Sequence, residues 1–431
     1  MDIQALHLLY TASTGVTTDT RKIESGSIFF ALKGDTFNAN TFAIEALQKG
    51  AAYAVIDEPL SQSAAYSERL ILVPDVLATL QALAAYHRSL LRCPVIAITG
   101  SNGKTTTKEL LAAILATTYK TAATVGNLNN HIGVPLTLLH IPLDTPMAIV
   151  EMGANHQREI AGYCQYASPD YALITNIGKA HLEGFGGIAG VLKGKTELYE
   201  YTAGHGGKLF VPSSSEVLMQ KAMSYADATH IICYGQQATD YVKGEALLSG
   251  EFLSVKLSNG TVIHTQLVGA YNLDNVLAAV CIGRYFGVEM VAIKAAIESY
   301  QPSNNRSQKL TIGTNTILLD AYNANPSSMV EALKNFEQIN APNKIVILGE
   351  MMELGEYATA EHDKIIAQVM DMPLSQRIFV GQGFLKLKGA KDVLYFETTD
   401  QLKAWYTAQQ WEHTTQLIKG SRKNALERIL K

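Results

Sequence analysis

VIAITGSNGKTTT, residues 95–107, is the stretch on which the fold turns. Five apolar-leaning residues in a row read as a buried strand, Gly100 and Gly103 punctuate a short loop, and a helical pattern follows over 106–117. A strand, a glycine loop and a helix in that order aim backbone N–H groups and the positive end of a helix dipole at an anion. Lys104 is placed to reach the β- and γ-phosphates of ATP, and Thr105 offers a hydroxyl to Mg²⁺. The spacing is tighter than the common GxxxxGK[ST] pattern, since Ile98 stands where its first glycine would fall. The expected phosphate contacts are Gly100, Ser101, Asn102, Gly103, Lys104, Thr105 and Thr106, with Lys104 also a catalytic candidate.

Outward from this stretch the same alternation continues. MAIVEM at 147–152 and YALITNI at 171–177 are further apolar strands separated by helical segments. Such strands need cover on both faces, which means a mostly parallel sheet in an α/β fold. Residues 208–265 are more polar and strand-rich, an edge or appended sheet, and a helix over 272–286 closes the region. Upstream, SIFFALKG (27–34), AAYAVID (51–57) and ILVP (71–74) alternate with helices over 41–50 and 75–91, a small α/β unit. Downstream of Arg306, TILLD, KIVILG, RIFVG, VLYF and QLIKG are each followed by a helical pattern, which predicts a dinucleotide-fold-like unit. Asn325 and Pro326 mark the start of one of its helices. Three domains are expected, 1–91, 92–303 and 304–431, with QPSNNRSQ (301–308) as the second linker.

Bulk composition narrows the function. Apolar residues are 47% and charged residues 17% of 431, suited to well-buried domains of about 100–200 residues each. A formal charge of −4 leaves no basic excess for a dedicated nucleic-acid partner. Cys93, Cys164, Cys233 and Cys281 are far apart, without metal-finger spacing, and read as free thiols of a reducing compartment. The opening MDIQALHLLYTAS has no basic leader followed by an apolar run, and no segment reaches the ~20 apolar residues of a membrane span. A cytoplasmic protein without a membrane span is expected.

Magnesium held by a threonine needs help from harder or charged ligands. Glu151 ends the strand MAIVE, where α/β sheets gather ligand groups, and is a metal candidate. His181, in the turn GKAHLEGFGG beyond the next strand, is a candidate for metal or phosphate. Asn127, Asn129 and Asn130 in VGNLNNHIG can donate amides to phosphate or substrate, or shape a turn. Lys193 and Lys195 in VLKGKTELY, taken by spacing alone, are solvated lysines.

TGSNGKTTT, GNLNNHIGVP, EMGAN, AHLEGFG, GKTEL and DAYNANPSSM together resemble the Mur ligase family, across essentially the whole chain. The resemblance implies ATP-dependent amide synthesis through an acyl phosphate, with two Mg²⁺ ions. DAYNANPSSM (320–329), LGEMMELG (348–355) and KGSR (419–422) point within the family to joining D-alanyl-D-alanine to UDP-N-acetylmuramoyl-tripeptide. The alternative is another Mur-type or folylpolyglutamate-type amino-acid ligase. By motif position the resemblance makes Lys195 a carbamylated lysine that, with Thr105, Glu151 and His181, holds metal; His181 and Lys195 become catalytic candidates. It places Asn272, Asn275, Arg306 and Asp320 at the nucleotide, and Tyr322, Asn323 and Asn325 at substrate. It also implies a uridine-binding segment at 17–37, with Thr18, Asp19, Arg21 and Phe30 as contacts, and a monomer that closes its last domain over the middle one.

Overall fold

Val95–Thr99 lies inside a nine-stranded sheet, between Tyr171–Ile174 and Met147–Glu151, and all five of its residues are buried. Its side chains alternate between two cores. Ile96 and Ile98 pack with Leu110, Ile114, Val276 and Val280 on one face, and Val95 and Ala97 with Ile160 and Leu198 on the other. This is the two-faced burial that an unbroken apolar strand demands. Seven strands, from Thr121–Ala123 to Val242–Leu247, run parallel. Ser254–Leu257 and Val262–His264 then extend the edge antiparallel, giving the polar, strand-rich stretch its place.

The computed structural model describes residues 2–60, 64–247, 252–302 and 305–431. Ser303 and Asn304, in the middle of the expected linker, lie outside the described residues. A four-stranded parallel sheet precedes the large one, in the order Val16–Thr17, Ile28–Phe30, Tyr53–Ile56, Leu70–Leu72. A six-stranded sheet comes after it. There Gln308–Ile312 pairs antiparallel with Asn315–Asp320, and the rest is parallel in the order Thr415–Lys419, Lys344–Gly349, Gln376–Val380, Val393–Phe396. The architecture is α/β throughout, with three main sheets and, in the first unit, a small antiparallel pair of Lys33–Gly34 with Phe37–Asn38.

Local chemistry explains most boundaries. Asp75 caps Val76–Leu90 by accepting from Ala78 N at 2.8 Å. Asn325 and Ser328 form a reciprocal capping box at Pro326–Gln338. The helix after the glycine loop begins at Lys104, two residues earlier than the apolar pattern indicates, because Gly103 at φ 79° turns the chain directly into it. The helix Ile3–Thr11, not anticipated from sequence, packs on Val76–Leu90. Its His7 Nε2 meets His87 Nδ1 at 3.1 Å, and His87 Nε2 donates to Ile141 O at 2.8 Å, which ties the first sheet's helices to the large-sheet unit. Cys93, Cys164 and Cys281 are buried and Cys233 half-buried; burial pushes all four thiols up. Among the described residues no helix is long and apolar enough to cross a membrane.

Candidate active site

Three strand ends of the large sheet, after Val95–Thr99, Met147–Glu151 and Tyr171–Ile174, open onto one cavity of about 680 Å³. This is where open α/β sheets bind ligands. The glycine loop forms its floor and admits no other residue at two positions. A Cβ on Gly100 (φ 142°) would lie 2.0 Å from Thr175 Oγ1, and one on Gly103 (φ 79°) 2.3 Å from Asn275 Oδ1. Residues from the neighbouring strand end clamp the loop. Asn176 Oδ1 accepts from Asn102 N (3.0 Å), while Thr175 Oγ1 and Asn176 Nδ2 donate to Asn102 O (2.6 and 3.1 Å). Ser101 Oγ donates to Gly178 O at 3.0 Å.

Lys104 folds back along the loop, its Nζ 2.7 Å from Gly100 O and 3.4 Å from Ser101 O. Desolvation lowers its pKa to about 8, and Arg306 adds a smaller push in the same direction against the pull of Glu151. The ammonium therefore waits for a polyanion. Thr105 Oγ1 and Asn129 Nδ2 both donate to Glu151 Oε1, at 3.2 and 2.7 Å. That leaves Glu151 Oε2 buried with no partner. A buried carboxylate oxygen so left fits a bound cation. No three His, Cys, Asp or Glu side chains gather into a cage among the described residues. Such a donor set suits magnesium, which keeps waters and substrate oxygens in its shell.

Lys195 lies on Ile188–Gly204, one layer behind the lining. Only 1% of it is exposed. Its Nζ donates to Ala154 O at 3.1 Å and stands 5.2 Å from the Phe185 ring centroid. Desolvation, then the Lys104 charge, hold its pKa well below the usual lysine range. The surface lysine expected from spacing alone is thus Lys193, not Lys195.

The last sheet's unit closes the cavity from above. Asp320, at the end of its strand, is ion-paired with Lys419 from the neighbouring strand. Arg306 stacks on Tyr322 with 3.6 Å between guanidinium and ring centroid, and its Nε has no partner. Asn325 Nδ2 donates to Asn102 Oδ1 at 2.8 Å and Lys179 N to Ser327 Oγ at 2.8 Å. Lys179 Nζ meets Glu361 at 2.7 Å, and His181 Nδ1 bonds to Glu353.

Of the residues singled out from sequence, the cavity brings together Ser101 to Thr106, Asn127, Asn130, Glu151, His181, Asn272, Asn275, Arg306, Asp320, Tyr322 and Asn323. Elsewhere the structure refines the expectation. Gly100 shapes the loop without lining the cavity. Asn325 has both ends of its amide engaged, in the helix cap and with Asn102, so it docks one unit on the other. Thr18, Asp19 and Arg21 stand on the first unit, outside the cavity lining, with Asp19 paired to Arg21 at 2.8 Å. Phe30 is corrected: its side chain is wholly buried in the core, because Ile28–Phe30 is an inner strand covered on both faces.

The sequence matches two family models, the "Mur ligase middle domain" over residues 98–283 and the "Mur ligase, glutamate ligase domain" over 305–422. It is 32% identical to the UDP-N-acetylmuramoyl-tripeptide--D-alanyl-D-alanine ligases of Bacillus subtilis and Escherichia coli, over 97% and 96% of this chain and 92% of each relative. The MurF crystal structure from Acinetobacter baumannii superposes with a TM-score of 0.85 at 32% identity, covering 96% of this chain and 92% of that one. This chain belongs to the Mur ligase family. Some of this Mur ligase's site residues carry little signal of their own in the sequence. Thr175 and Asn176 could be found only from their place just past a strand end, whereas Asn129, expected from its asparagine cluster, does line the cavity and bonds to Glu151.

Proposed function

We propose that this Mur ligase joins D-alanyl-D-alanine to UDP-N-acetylmuramoyl-tripeptide at the expense of ATP, in cell-wall precursor synthesis in the cytoplasm. The reaction type is carried by one observation: Lys104 and Glu151 face Asp320, Tyr322 and Asn323 across a single cavity. The substrates are inferred from relatives of that name matched over nearly the full chain. Residues 1–91 take the uridine end through Thr18, Asp19 and Arg21, residues 92–303 hold ATP, and residues 304–431 bring the dipeptide.

The tripeptide's terminal carboxylate attacks the γ-phosphorus of ATP, giving an acyl phosphate and ADP. The dipeptide amine then attacks the acyl carbon; the tetrahedral adduct expels phosphate, and the amine loses a proton. The first step brings several negative charges together, so its cost is electrostatic. Lys104 meets the phosphate oxygens, and the loop's N–H groups and the helix starting at Lys104 add their dipoles. Asn272 and Asn275, which line the same cavity, would meet the nucleoside, and the last unit would exclude water once the substrates fill the site. Glu151 Oε2, Thr105 and His181 Nε2 are the groups that would hold Mg²⁺, which supplies charge neutralisation on the phosphates. Burial and the Lys104 charge favour the uncharged form of the Lys195 amine, the form that attacks CO₂, and the carbamate formed with loss of a proton would give a second Mg²⁺ an oxygen ligand.

The test is product analysis with ATP, Mg²⁺, the UDP-tripeptide and D-Ala-D-Ala, each omitted in turn. Pentapeptide product should need all four. Turnover of ATP to free phosphate that ignores D-Ala-D-Ala, without pentapeptide, overturns this reading.

A further inference from the structure

His181 is gripped from outside its own sheet. It lies beyond the strand Tyr171–Ile174, has φ 52°, and lines the cavity. The group bonded to its Nδ1 is the Glu353 carboxylate, from the loop between Lys344–Gly349 and Ala358–Asp371 of the last unit. The backbone doubles the contact, with Glu183 N donating to Glu353 O at 3.2 Å. The fit is close on both sides: a Cβ on Gly355 would lie 3.1 Å from Glu183 Cβ. Glu353 itself takes φ 61°, an uncommon conformation for a non-glycine residue, which here turns the loop back onto the histidine.

An imidazole whose Nδ1–H donates to a carboxylate presents an unprotonated Nε2, the one ring nitrogen then left for the cavity. A carboxylate behind a metal-binding histidine fixes its tautomer and ring direction, and losing it typically weakens metal binding 10–100-fold. Here the carboxylate and the histidine come from units that meet only when the chain is closed. We propose that Glu353 is a positioning residue: docking of the last unit sets its carboxylate behind His181 and aims Nε2 at the metal end of the nucleotide site. The closed enzyme then holds the ion more tightly than the open one, and closure and metal binding favour each other by the same factor. This rests on the assignment of His181 to metal above.

The test is Mn²⁺ affinity by electron paramagnetic resonance, on the full chain with a non-hydrolysable ATP analogue and the UDP-tripeptide. Glu353→Ala should bind Mn²⁺ about 10–100-fold more weakly. Glu353→Gln, whose amide oxygen still accepts from Nδ1–H, should recover part of the loss. His181→Ala should lose as much, and the double variant no more than His181→Ala alone. Lys179→Met loosens the same docking without touching His181, and should change the affinity far less. Unchanged or tighter binding in Glu353→Ala, or an equal loss in Lys179→Met, overturns the proposal. Unchanged binding in His181→Ala overturns the metal assignment itself, and the proposal with it.

Discussion

At Lys104, burial and function pull in opposite directions. A desolvated ammonium loses its proton more readily, and here its pKa falls to about 8. Phosphate oxygens favour the charged form and raise the value again. In the free protein a growing share of Lys104 is neutral above pH 8, so nucleotide binding there must take up a proton, whereas at pH 7 it takes up almost none. Calorimetry of ADP binding in buffers of different ionisation enthalpy should show uptake at pH 8.5 that fades toward pH 7; Lys104→Met should abolish it. Lys195 and Lys193 make the complementary pair. Lys195 is sealed in and Lys193 is exposed, so Lys195→Ala should cost activity by orders of magnitude while Lys193→Ala stays near wild type. Carbon-13 NMR after [¹³C]bicarbonate should show a carbamate signal lost only in Lys195→Ala.

Among the elements, the glycine loop and its helix were the most legible, since a buried strand, two glycines and a helix leave few alternatives. The strand positions were legible for the same reason of periodicity. Strand order was not: Thr415–Lys419 slots between Asn315–Asp320 and Lys344–Gly349, a choice made by pairing across about a hundred residues. Phe30 misled for a related reason. A segment can serve a ligand while individual side chains within it serve the core, and SIFF does not say which is which. His181 was legible as a strand-end residue, yet its partner Glu353 lies 172 positions away. The loop also carries its own prediction. Gly103→Ala puts a methyl group against Asn275 at a left-handed backbone, which costs ~1–2 kcal/mol before any clash is counted. Its melting temperature should drop by a few degrees, and its ADP affinity more than tenfold; wild-type affinity would show that the loop tolerates a Cβ.

For the whole molecule the question is how firmly the last unit sits on the middle one. The hydrogen bonds and ion pairs between them include Asn325 with Asn102, Ser327 with the backbone of Lys179, Glu361 with Lys179 and Glu353 with His181 and Glu183, beside a small apolar seam that puts Val268 in one cluster with Leu318 and Leu417. Burial alone would raise the Glu361 carboxyl, but Lys179 and Lys364 hold it below its ordinary value. Lys179 is 41% exposed, so the pair is worth no more than ~1 kcal/mol. Closure built from such contacts is reversible, and an expanded form should dominate without ligands. Small-angle scattering should show the radius of gyration shrink when ATP analogue and UDP-tripeptide are added. Lys179→Glu, which sets two carboxylates face to face, should raise the KM for the dipeptide two- to fivefold and leave the expanded form more populated.

The four native thiols give this motion a convenient readout. Three are enclosed in the packed interior, the fourth is half-covered, and burial holds all of them in the protonated, unreactive form. A maleimide dye offered to the folded protein therefore finds little to attack. One cysteine placed on the exposed surface of the last unit and one on the first can be labelled as a fluorescent pair on an otherwise natural background, and the opening and shutting of the enzyme followed one molecule at a time.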